Sequence, residues 1–107
     1  MIVGLVGFGL VCANLAQAAD PVTVTLTIKD HRFTPQEVEV PAGQQIKLVV
    51  KNMDKTPEEF ESKSLRREKV IAGGAEATIL VGPLKPGKYT FYGEYHESTA
   101  KGALVAK

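Results

Sequence analysis

The chain has 107 residues, 44% of them hydrophobic, and a formal net charge of +1. That length fits a single domain with one core, since domains cluster at about 100–150 residues. The near-neutral charge lacks the basic footprint of a nucleic-acid or anionic-membrane binder, and no stretch after residue 20 is apolar enough to span a bilayer.

Residues 1–19, MIVGLVGFGLVCANLAQAA, carry no charged side chain and end in Ala16-Gln17-Ala18, a small-x-small cleavage signature. They read as a secretory signal peptide, which places the remaining domain, 20–107, in the periplasm. A membrane anchor is the alternative reading, but the run is short for one. Cys12 is the only cysteine. Val11 before it is not the small residue a lipidation site prefers. Residues 20–107 therefore have no thiol for a disulfide or for a blue-copper centre.

Val22-Thr23-Val24-Thr25-Leu26-Thr27-Ile28 alternates apolar and polar residues. That period predicts a half-buried strand with Val22, Val24, Leu26 and Ile28 inward. Residues 29–32 leave the sheet, Phe33 and Pro35 plug one end of the core, and Val38 and Val40 form a short strand. After the turn Pro41-Ala42-Gly43, Ile46, Leu48 and Val50 alternate along another strand that ends near Asn52. Residues 53–57 read as a loop with Met53 as its plug. Glu58-Glu59-Phe60-Glu61-Ser62 reads as an edge segment with Phe60 inward. The charged run 63–69 fits either a turn of helix or an irregular crossover. Gly73-Gly74 is a turn, and 75–81 is a further strand.

The C-terminal part reads as strand, polar loop and strand, with Tyr89, Phe91 and Gly93 on one face and Thr90, Tyr92, Glu94 and His96 on the other. Leu84-Lys85-Pro86-Gly87-Lys88-Tyr89 resembles a tyrosine corner, in which the hydroxyl ties a loop to the sheet. The whole predicts an all-β, two-sheet Greek-key sandwich of seven or eight strands.

Three stretches carry a resemblance. They are Phe33-Thr34-Pro35-Gln36-Glu37-Val38-Glu39-Val40-Pro41-Ala42-Gly43, the segment from Asn52 to Ser62 with Pro57 and Glu58-Glu59-Phe60-Glu61-Ser62, and Pro86-Gly87-Lys88-Tyr89 on to Gly93-Glu94-Tyr95-His96. Their order and spacing resemble cupredoxins. More narrowly, they resemble the small periplasmic cupredoxin-like proteins of bacterial ferrous-iron uptake and the cupredoxin domain of EfeO-type iron-transport proteins. Cupredoxins of the blue type end in G-x-Y-x-F-x-C-x-x-H followed by Met. Here Gly93 stands at the Cys position, His96 at the His position, and no Met follows. Many also carry N-x-x-x-x-P-H-x-F; Asn52, Pro57 and Phe60 match it, and Glu58 takes the place of the His.

The resemblance implies a metal site where the loop before Glu58 meets the loop at His96. The expected ligands are Glu58, Glu94 and His96, with Glu61, Glu59 or His31 at the rim. On a continuing strand Glu94 and His96 would lie about 6.6 Å apart on one face. Carboxylate and imidazole without sulfur suit a transition metal ion, iron or copper, rather than a type 1 blue-copper centre. Tyr92, Tyr95 and the cationic run around Arg66 and Arg67 read as packing and solvated surface. The implied role is iron capture, with assistance in Fe(II) oxidation, for a membrane iron permease and other periplasmic uptake components. A copper chaperone or storage protein and a metal-free docking adaptor are the alternatives. No nucleophile motif surrounds Ser62, Ser64 or Ser98.

Overall fold

The computed structural model describes residues 20–107; the expected signal peptide, 1–19, lies outside them. Nine strands run in chain order: β1 (Val22–Lys29), β2 (Arg32–Thr34), β3 (Glu37–Val40), β4 (Ile46–Asn52), β5 (Glu58–Ser62), β6 (Arg67–Ile71), β7 (Glu76–Val81), β8 (Gly87–Gly93) and β9 (Lys101–Ala106). They form a four-stranded sheet, β2-β1-β4-β7, and a five-stranded sheet, β3-β9-β8-β5-β6. Both sheets are mixed: β1 runs parallel to β4 and β3 parallel to β9, while the remaining pairs are antiparallel.

The alternating patterns bury one face of each sheet. Leu26 and Ile28 of β1 and Ile46, Leu48 and Val50 of β4 face Phe60, Phe91 and Leu104 of the other sheet in one buried cluster. Phe33, Phe60 and Phe91 form an aromatic knot in this core, with Phe91 4.9 Å from Phe33, edge to face, and 5.1 Å from Phe60. Such geometries add to plain area burial. Tyr89 Oη donates to the Lys85 carbonyl at 2.8 Å, as the tyrosine-corner reading expects.

Several local expectations are corrected. β5 is an interior strand, because the charged run folds back as a tight turn at Arg66 and pairs as β6 along β5. β6 is then the sheet edge, and its exposed Arg67, Glu68 and Lys69 are the kind of charge that discourages edge-to-edge pairing. Residues 29–32 do not simply leave the sheet. They make a two-residue hairpin turn that pairs β1 with β2. Pro35 and Met53 are exposed rather than plugging the core. Ser62 is buried for a structural reason: its hydroxyl donates to the Thr90 carbonyl at 2.7 Å and accepts the Leu65 N–H.

Candidate metal centre

The end of the sandwich that gathers the chemistry is built from three turns. At the first, β1 reverses into β2 through Asp30 and His31, whose φ values are 52° and 57°. A two-residue hairpin turn of this kind needs positive φ at both central positions, and Asp and His tolerate it better than most residues. At the second, the β4–β5 loop crosses over Gly73. A Cβ on Gly73 would collide with the Lys55 carbonyl, so only glycine admits the loop there. Asn52, 1% exposed, fixes that loop from below. Its Nδ2 donates to the Thr56, Ile71 and Ala72 carbonyls, and its Oδ1 accepts the Asp54 N–H at 3.0 Å.

The third turn corrects the extended reading of the last loop. β8 ends at Gly93, and Glu94–His96 form a single 3-10 turn. Gly93 is the last residue of the strand and Glu94 the first of the turn. Gly93 points inward like Phe91 and pairs with Phe60, whereas Glu94 points outward like Tyr92. A continuing strand would have kept His96 on Glu94's face. The turn rotates His96 inward instead, onto Glu58.

Glu58 is buried and held at both oxygens. Oε1 accepts the backbone N–H of Glu59 and of Tyr95, each at 2.9 Å. Oε2 meets His96 Nδ1 at 2.6 Å. The imidazoles of His31 and His96 stack with centroids 3.5 Å apart and planes 9° from parallel. His31, Glu58 and His96 each offer a ligand atom, all within 4.8 Å of one another. His31 and His96 are partly exposed while Glu58 is sealed, so the group opens to solvent on the imidazole side.

The other two expected ligands stand elsewhere. Glu94 and Glu61 join Glu59 in a second group on the outer sheet face, also within 4.8 Å of one another. Burial pushes the Glu59 carboxyl above the ordinary carboxylate range, and the neighbouring charges of Glu94, Glu68 and Glu61 push it further. Glu61 is raised by burial and then by Glu68, its cross-strand partner, and Glu94. Tyr92 is raised in the same way, by burial first and then by the surrounding glutamates.

Sequence reasoning passed over Asp54. Its Oδ1 accepts the Asp30 N–H at 2.8 Å and its Oδ2 the His31 N–H at 3.0 Å. His31 Nδ1 lies 3.4 Å from the same Oδ2. Burial raises the Asp54 carboxyl, but those two N–H bonds and the charges of His31 and His96 more than offset it, leaving it below its ordinary value. The only local signal was an Asp two residues after the motif Asn.

Position 93 is where the chain departs from the blue-copper pattern, with Gly in place of Cys. A Cβ built on Gly93 would lie 2.6 Å from Glu58 Cδ and 2.7 Å from Oε2. The carboxylate fills the space that a side chain at 93 would need. Residues 2–106 match the family model of the cupredoxin-like domain. The chain belongs to the cupredoxin-like domain family. In fold the chain is similar to auracyanin A, a blue copper protein of Chloroflexus aurantiacus, with a TM-score of 0.70 at 15% identity over 82% of this chain and all of that one. The metal-binding domain of the Streptococcus pneumoniae D39 Cu(I)-exporting P-type ATPase CopA gives 0.69 at 13% identity, over 86% of this chain and 92% of that one. At such identities the likeness shows the fold. In sequence, the cupredoxin-like chain is 48% identical over 82 residues to Uncharacterized protein RP394 of Rickettsia prowazekii (strain Madrid E), covering 77% of this chain and 66% of that protein.

Proposed function

We propose that this cupredoxin-like domain binds one first-row transition metal ion through His31, Glu58 and His96. The observation that carries the proposal is the exchange at position 93. The blue-copper pattern places a Cys there, and here a buried carboxylate occupies that space instead. The anionic donor is kept near its place while sulfur is replaced by oxygen. Nδ1 of His96 and Oε2 of Glu58 meet at 2.6 Å, and an imidazole nitrogen and a carboxylate in contact are a pair suited to share a cation.

Imidazole and carboxylate suit Fe(II), Fe(III), Cu(II) or Zn(II) better than Cu(I). A carboxylate sealed from water stabilises Fe(III) over Fe(II), so a site of this kind makes loss of an electron from Fe(II) to dioxygen easier. On this reading the protein captures iron in the periplasm, assists its oxidation and passes it to a membrane iron permease. The likeness to the ferrous-iron uptake proteins supports that placement. The second reading, a copper carrier without turnover, is favoured by the copper named in auracyanin A and in the CopA domain.

Titration of the metal-free chain with Fe(II), Cu(II) and Zn(II), together with the Glu58→Gln and His96→Ala variants, tests the site. Binding that survives both variants would remove it. Oxygen uptake on adding Fe(II) separates an oxidant from a carrier. A deletion strain that grows poorly on limiting Fe(II) supports the iron role. Copper sensitivity with normal growth on limiting iron ends it.

A further inference from the structure

We propose that Asp54 is the positioning residue of the metal centre: it fixes the left-handed turn that carries His31 and turns the ring so that Nε2 is the nitrogen left for an ion. The proposal rests on the reading of His31, Glu58 and His96 as a metal site, but it is carried by separate contacts.

Two consecutive non-glycine residues at positive φ, Asp30 and His31, hold a conformation that L-residues mostly avoid. Such strain persists only where surrounding structure over-determines it. Here the over-determination is one carboxylate. Asp54 accepts both backbone N–H groups of the turn, at 2.8 and 3.0 Å, from 24 and 23 residues away in sequence. It is itself anchored: its N–H donates to the buried Asn52. The loop that carries it packs on Gly73, and the Gly74 N–H donates to the Asp54 carbonyl at 3.0 Å. The clamp therefore belongs to the rigid end of the sandwich.

The same carboxylate acts on the ring. With Oδ2 3.4 Å from Nδ1, an anion stands beside that nitrogen and favours the proton there. The lone pair then resides on Nε2. His96 differs: Glu58 Oε2 is in hydrogen-bond contact with its Nδ1 at 2.6 Å, and that pair is the one proposed to share the ion. Each imidazole of the stacked pair thus faces a carboxylate, Asp54 beside His31 and the ligand Glu58 beside His96, and the two come from the same loop and the strand after it. A carboxylate that orients a ligating histidine typically changes metal affinity by about 10–100-fold when removed.

The test uses the full chain, 15N-labelled and metal-free, in wild-type, Asp54→Ala, Asp54→Asn and His96→Ala forms. Two quantities are read: the imidazole 15N shifts, which report which ring nitrogen is protonated, and Zn(II) affinity by competition with a chromophoric chelator. In the wild type, neutral His31 is expected to carry its proton on Nδ1 and to show ring-to-ring contacts with His96. In Asp54→Ala the proton moves to Nε2, the contacts weaken, and Zn(II) affinity falls by about 10–100-fold. Asp54→Asn keeps an acceptor for the turn while removing the charge; it is expected to keep the β1–β2 hairpin signals yet lose the Nδ1 preference, and it decides the matter if the alanine variant fails to fold. Wild-type tautomer, ring contacts and Zn(II) affinity within about two-fold in a folded variant would overturn the proposal. If neither the wild type nor any variant binds Zn(II), the metal reading falls, and the 15N shifts alone decide the role of Asp54.

Discussion

Gly93→Ala probes the relation between an absent side chain and a buried carboxylate. The backbone at Gly93, φ −92° and ψ 112°, is ordinary extended chain, so alanine carries no conformational penalty there and its whole cost is steric. The added Cβ would lie 2.6 Å from Glu58 Cδ and 2.8 Å from the Ala100 Cβ. Ala100 is fully buried and Glu58 only 1% exposed, so neither can swing into solvent. Overpacking of a filled site costs about 1–3 kcal/mol. Moving Glu58 instead strains hydrogen bonds to a charged group, worth about 1.5–3 kcal/mol each. A loss of about 2 kcal/mol is expected by either route, which for a domain of this size lowers Tm by about 8–16 °C. The assay is thermal and urea unfolding of the metal-free chain in a cycle with Glu58→Ala. Without the carboxylate the two tightest contacts of a side chain at 93 are gone, so the cost of Gly93→Ala shrinks and the coupling reaches about 1 kcal/mol or more. An equal cost in both backgrounds would refute the idea that Glu58 excludes a side chain at 93.

Gly73→Ala should destabilise the chain and weaken metal binding, because the Lys55 carbonyl that the new Cβ would strike is backbone and cannot rotate aside; urea unfolding and Zn(II) titration check both. Asp54, held below its ordinary 3.8, stabilises the fold fully above that value and loses the effect as pH falls through its lower folded-state value. The stability gap between wild type and Asp54→Asn should accordingly close on acidification, and a gap that stays constant through acid would count against the native turn contacts. Glu61→Gln removes a like charge opposite Glu68 on the outer sheet face, so Tm should rise at low salt and rise less at high salt. Cu(II) added to the chain should give a pale complex without strong sulfur charge transfer, since residues 20–107 contain no cysteine; an intense blue colour in a visible spectrum would contradict the ligand set.

Period-two alternation made β1 and β4 legible, because a half-buried strand writes its facing into every second residue. The family pattern made the meeting of Glu58 and His96 legible as well. What parity could not show was the departure from the strand at Gly93. One 3-10 turn separates Glu94 from His96 and leaves Glu94 with Glu59 and Glu61 on the outer face. Nor could it show β6, whose charged run fits a turn of helix or an irregular crossover as well as a strand, because an edge strand needs little hydrophobic pattern. Asp54 was invisible for a different reason. It acts through two backbone N–H groups more than twenty residues away, and backbone donors leave no signature in a sequence.

The three donor side chains belong to both sheets: His31 rides the end of the four-stranded one, and Glu58 and His96, 38 residues apart, close the five-stranded one. No hairpin or isolated sheet holds more than a fragment of the site. On the proposed reading of these three residues as a metal site, a half-folded chain has no complete site. On that reading, loading would report completed assembly, and an ion that binds only the finished sandwich would protect it by mass action from the moment it closes.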